Sequence, residues 1–288
     1  MYSKDSQSHS YVAYSVLRVF FWKIGVLRRF LGEFRRRPIV QTRKLRKQLK
    51  SYKVSLPKPA LVCATGPSLQ EMSLNQLLEF KNLGVEIFSV NHFPLTELGR
   101  HVEPEYQLAL DYQHFEAQGS SPAEISFQRW LAQVYKGKLV LARGKKFDTT
   151  ATILEINGHC LPTFTKSVDP TRIVGFQPYT SLFAVSLALY LGYSPVYLLG
   201  VDASHHAYLQ INGDAVTLSS HHAYESFQGG RPWIGRKDVR SILSSNAFFI
   251  ENCELFAGRE VYILGNGSHV DSLPRVSIEH ALDLSRSH

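Results

Sequence analysis

The sequence predicts an α/β fold: a mostly parallel sheet with helices on both faces, an irregular lid segment and a basic N-terminal helical arm. Three observations predict it. From residue 59 onward, short apolar runs of strand length alternate with longer amphipathic runs, the order expected of strand–helix–strand units. The 288 residues, 44% hydrophobic and 12% aromatic, suffice for one large core with appendages. Charge is also segregated: residues 1–53 hold 14 of the 32 Lys+Arg and 2 of the 24 Asp+Glu, a net of +12, which leaves −4 on the remainder.

The arm comes first. In residues 11–50, Phe20, Phe21, Trp22, Ile24, Leu27, Phe30 and Leu31 mix with Arg18, Lys23, Arg28 and Arg29. Charges interrupt the run too often for a spanning helix, which needs about 20 mainly apolar residues. The pattern fits a helix lying in the plane of an anionic membrane surface. The competing reading is a helix that packs on the domain or mediates homo-oligomerisation. Because the excess charge belongs to the arm, it gives no general argument for nucleic acid, and nucleic acid is not an expected partner. Pro57 and Pro59 close the arm. The expected division is an arm over 1–57 and a domain over 58–288.

Strands are predicted at 60–65, 85–90, 106–110, 138–142, 195–199 and 260–264, and helices at 70–83, 122–135, 180–191 and 238–256. In the helix at 180–191, Thr180 or Ser181 can cap the start and Gly192 stops it. Residues 203–236, rich in His, Ser, Gly and Tyr, show no clear periodicity. A segment so long and irregular reads as a lid or a flexible insertion.

In an open α/β sheet, ligands bind beyond the carboxyl ends of the strands. The predicted strand ends carry Gly66-Pro67-Ser68, Asn91-His92-Phe93, Asp111-Tyr112, Gly200-Val201-Asp202 and Gly265-Asn266-Gly267-Ser268, with Thr180-Ser181 opening a helix beside them. Small, amide and hydroxyl groups of this kind suit a nucleotide. Each glycine alone would be an ordinary turn, so the joint placement carries the reading. Neither G-x-x-x-x-G-K-[ST] nor G-x-G-x-x-G occurs, and there is no D-x-D pair. His205-His206 and His221-His222 lack the spacing and supporting ligands of a zinc site. A general base is the better role for a histidine there. The three cysteines, Cys63, Cys160 and Cys253, lie far apart, suggest no disulfide framework and fit a reducing cytoplasm. No secretory signal is read at the N-terminus.

The motifs GPSL after the first strand, NHF after the second, the helix YTSLFAVSLALYLGY and then VYLLGVD together resemble the bacterial lipooligosaccharide sialyltransferases. The same skeleton is similar to the related motility-accessory-factor and pterin-pyrophosphokinase-like group. The resemblance spans about 60–270, in order. It implies a Rossmann-like, metal-independent transferase with no required cofactor. The implied donor is a CMP-activated nonulosonic acid of the sialic-acid type, and the implied acceptor a glycan or lipid-linked glycan of the cell envelope. Carried over by position, Gly66, Pro67 and Ser68 match the nucleotide-side turn, Asn91 the amide that contacts CMP, and Thr180 and Ser181 the pair facing the donor. Asp202 matches the acid after the strand, and Asn266 and Ser268 the cytidine-contacting turn. Tyr208 and Tyr224 are the implied donors to the leaving phosphate. The base stays open between His221 and His222, with His205 and His206 as alternatives. Thr65 and Leu182 depart from the family pattern, and Arg236 stands where the resemblance leads one to expect a histidine. An Mg²⁺-dependent pterin-type pyrophosphokinase and a non-catalytic nucleotide-sugar-binding protein are the rival functions. The expected location is cytoplasmic, peripheral at the inner face of the membrane.

Overall fold

The computed structural model describes residues 39–110, 122–142, 147–156, 168–171, 179–204, 209–212, 215–218, 231–233 and 236–287. An eight-stranded sheet forms the centre, in the order β11-β10-β6-β1-β2-β3-β4-β5. Its strands are β1 (Ala60–Cys63), β2 (Glu86–Val90), β3 (Tyr106–Ala109), β4 (Lys138–Ala142), β5 (Thr152–Ile156), β6 (Val196–Leu199), β10 (Val261–Leu264) and β11 (Arg275–Val276). Every pairing is parallel.

Side chains alternate across the pleat. Ala60 and Val62 of β1, Val196 and Leu198 of β6, and Val261 and Ile263 of β10 point into one apolar layer. Leu61 and Cys63, Tyr197 and Leu199, and Leu264 point into the other. Because both faces are covered, β1 and β6 read as unbroken apolar runs rather than alternating ones.

The first layer is built by α4 (Thr180–Leu191), with contributions from α1 (Ile39–Lys50) and α5 (Arg236–Cys253). Nine of the twelve α4 residues are buried, which is why its sequence is apolar on nearly every side. Gly192 ends it in the left-handed region at φ 97°. Its N-cap is Tyr179, with no side-chain cap, so Thr180 and Ser181 lie inside the first turn instead of capping it. The second layer holds α2 (Leu74–Asn82) and α6 (Ile278–Arg286), and α3 (Pro122–Gln133) covers β3 and β4.

Several elements differ from expectation. The helix expected over 70–83 is a 3₁₀ turn, Pro67–Glu71, followed by α2. The break occurs at Ser73, which forms a reciprocal cap with Gln76. Not anticipated were β5, β11 and α6, the last capped by Ser277. Within the segment expected to be irregular, β7 (Leu209–Asn212), β8 (Ala215–Leu218) and β9 (Arg231–Trp233) form a separate antiparallel sheet. Only Gly213-Asp214 separates β7 from β8, and that dipeptide between short runs is a hairpin signal.

Candidate functional site

Strands β2 to β5 run outward on one side of β1, and β6, β10 and β11 on the other. The direction of winding therefore reverses between β1 and β6, where α/β sheets open a ligand crevice at their carboxyl edge. Helix α4 precedes β6 and runs against it. Leu191, at the helix's far end, accepts from Val54 N–H (2.9 Å) near the amino edge. The first turn of α4 therefore lies at the carboxyl edge, with its unpaired N–H groups and the positive end of its dipole.

The chain is strained at this edge. Two non-glycine residues among the described ones have positive φ: Asn91 (50°), after β2, and Ala203 (52°), after β6. Asparagine tolerates that region, whereas alanine is held there at a cost of about 1–2 kcal/mol. Such residues gather where a function or a neighbouring contact requires an exact chain path.

The turn after β1 is locked to β6. Gly66 N–H donates to the Gly200 carbonyl (2.8 Å), extending the ladder beyond the strands. A Cβ on Gly66 would lie 2.5 Å from that oxygen and would also meet the Asp202 carboxylate. Glycine is required at position 66 because another part of the chain approaches it. Asp202 accepts from Ser68 N–H (2.8 Å) and from the Ser68 hydroxyl, and that hydroxyl accepts from Gly200 N–H (3.1 Å). Burial raises the Asp202 pKa, and the Ser68 bonds offset part of the rise.

The other end of the same turn is held by Glu71. Its two oxygens accept from Asn266 N–H and Gly267 N–H, each at 2.9 Å. Gly265, at φ 79°, aims those consecutive amides, a backbone nest suited to an anion. Ser268 is buried and donates to the Val201 carbonyl (2.8 Å). Arg275 secures the same loop through the carbonyls of Ser268 and Val270. Glu71 is the member of this cluster that sequence reasoning missed, since a single acid near the end of a turn carries no local signal.

The described members of the expected donor site thus come together at one edge: Gly66, Pro67, Ser68, Asn91, Thr180, Ser181, Asp202, Asn266 and Ser268. Ser68, Asp202 and Ser268 spend their side chains on internal bonds. Asn266 is exposed, Ser181 is half-buried and Thr180 is buried. Next to Asn91, His92 is buried with Nε2 at 3.1 Å from Glu124 of α3, a contact that pins α3 to the end of β2. The expected catalytic residues His221, His222, Tyr208 and Tyr224, and the alternatives His205 and His206, lie outside the described residues. Among the described residues no group of three or more His, Cys, Asp or Glu is placed to hold a metal ion, and no helix is long and apolar enough to cross a membrane.

No family model and no curated protein matches the chain. Among solved structures it is similar to the MAf glycosyltransferase from Magnetospirillum magneticum AMB-1, at 14% identity and a TM-score of 0.47 over 81% of this chain. The chain spans 38% of the length of that protein.

Proposed function

We propose that the protein is a glycosyltransferase that moves a nonulosonic acid from a CMP-sugar to a glycan of the cell envelope. The observation that carries this reading is the strained carboxyl edge. Asn91 and Ala203, the two left-handed non-glycine residues among those described, follow β2 and β6 and so flank the end of β1, where the winding reverses, and the motif residues gather around them. In this reading Asp202 is a positioning residue. It holds the Gly66–Ser68 turn against β6, so that the turn walls the crevice. Asn91 and the turn at Asn266 read the cytidine, and the first turn of α4, with Thr180 and Ser181, faces the phosphate.

The reaction breaks the bond between the donor's anomeric carbon and the CMP phosphate oxygen, and forms one to the acceptor oxygen. His221 or His222 takes the acceptor hydroxyl's proton. Tyr208, Tyr224 and the N–H groups of α4 stabilise the charge left on CMP. No cofactor is assigned to this step.

The test pairs binding with turnover. His222→Ala or His221→Ala is expected to lower transfer by about 10²–10⁴ while the thermal shift produced by CMP persists, because the base faces the acceptor. Wild-type transfer rates in both variants would move the base elsewhere, to His205 or His206 first. A larger thermal shift with ATP plus Mg²⁺ than with CMP would replace this reading with the pyrophosphokinase one. Donor binding without turnover would favour a nucleotide-sugar-binding protein.

A further inference from the structure

Helix α1 presents two opposed faces. Leu45 and Leu49 are buried in the core beneath it. Gln48 reaches the Ile153 carbonyl of β5 (3.3 Å), and Arg46 bonds the Thr171 hydroxyl (2.9 Å) and pairs with Asp169 (3.5 Å). The helix is therefore fixed to the domain. On the opposite stripe Arg43, Lys47 and Lys50 recur at i, i+4 and i+7. They are exposed, as are Lys44 and Arg46 at their sides.

This face is unusual for a solvated helix. Its sequence, IVQTRKLRKQLK, contains no acid, so Arg43–Lys47 and Arg46–Lys50 are like-charge i,i+4 pairs, which disfavour the helix. Lys47 and Lys50 complement the negative end of the helix dipole, but Arg43 and Lys44 are too far from that end to do so. No ion pair engages Arg43, Lys44, Lys47 or Lys50 among the described residues. An external anionic surface would relieve the repulsion on this face.

We propose that the outward face of α1 docks on the headgroups of an anionic phospholipid bilayer and sets the orientation of the domain on it. Charge complementarity favours an anionic surface. The sequence upstream favours lipid over nucleic acid, because Phe20, Phe21, Trp22, Ile24, Leu27, Phe30 and Leu31 mix there with basic residues. Those apolar groups gain from a lipid interface and not from a phosphodiester chain. The proposal deepens the reading of a cell-envelope acceptor, yet its test needs no catalysis, so the two can fail separately.

The experiment is co-sedimentation of the full chain with vesicles containing about 30% phosphatidylglycerol in phosphatidylcholine, against vesicles of phosphatidylcholine alone. Each basic residue at such a surface is worth about fivefold in partitioning, so Arg43→Ala/Lys47→Ala/Lys50→Ala is expected to bind about 10²-fold more weakly. The gap should close at about 0.5 M salt, where the Debye length falls to a few ångströms. A second variant, Arg43→Gln/Lys47→Gln/Lys50→Gln, should behave alike, with both retaining the wild-type melting temperature. Unchanged partitioning in either folded variant overturns the proposal. So does a triple variant that loses affinity for an oligonucleotide and none for vesicles.

Discussion

At the scale of single residues, two carboxylates decide how the carboxyl edge is built. Asp202 is desolvated, and removing the carboxylate that accepts from Ser68 N–H and O–H is expected to cost about 1–3 kcal/mol. Its raised pKa also sets a sign. The folded state holds this proton more tightly than the unfolded chain does, so this group's contribution to stability is greatest at low pH and falls as pH rises past the ordinary aspartate range, about 3.9. Asp202→Asn removes that dependence. The stability gap between wild type and variant should therefore be wider at about pH 4 than at about pH 7 in denaturant titrations. A gap that widens toward neutrality would mean that the Ser68 bonds outweigh desolvation.

Glu71→Gln keeps the shape but leaves one of the two amides at 266 and 267 without an oxygen acceptor. It should raise hydrogen exchange at Asn266 and Gly267 by about tenfold, corresponding to roughly 1–1.5 kcal/mol of local stability. Unchanged protection there would show that Arg275 alone holds the loop.

At the scale of elements, α1 is the informative case. It lies on the arm side of the boundary expected at residue 57, yet Leu45 is 5% exposed and Leu49 fully buried. Each such leucine is worth about 1.5–3 kcal/mol on burial. Relative to a chain lacking residues 1–38, one lacking residues 1–53 should be less stable by about 3–6 kcal/mol in urea titrations. Equal midpoints for the two truncations would show that α1 is dispensable to the core.

The helix was partly legible in sequence: the chain reads as helical and basic there, but the density of charge hides its two apolar contacts. Elsewhere α6 carried a readable signal, Ser277 followed by Ile278, Ala281, Leu282 and Ser285 at helical spacing. The two-residue β11 offers too short a run for any pattern.

At the scale of the whole molecule, ligand and fold are linked. A ligand at about 100 times its dissociation constant adds about 2.7 kcal/mol to the stability of a folded state that alone binds it. For a domain of this size that is a rise in melting temperature of about 5–10 °C. CMP should produce a shift of that order, with UDP, GDP and ATP producing smaller ones, as measured by differential scanning calorimetry. An equal shift with UDP would remove Asn91 and the turn at Asn266 as readers of the base. Burial pushes the Cys63 thiol up, and that of Cys253 up to about 12. Neither is then a reactive thiolate near neutral pH, and alkylating reagents should modify these two only as the molecule unfolds.

The sequence by itself determined the class of fold, the order of its main strands and helices, and which residues stand at the ends of those strands. It could do so because these properties are local. A strand buried on both faces must be apolar throughout, as β1 and β6 are, and a helix that ends sharply needs a residue free to take positive φ, as at Gly192. Only the tertiary structure decided what the strand-end residues touch. Ser68 meets Asp202 across 134 positions and Glu71 meets Gly267 across 196. A backbone amide buried at a strand end, as that of Ser68 is, must find an acceptor wherever the fold brings one. The glycine, serine and aspartate that read as groups for a ligand are, in large part, groups that hold the ends of β1, β6 and β10 to one another.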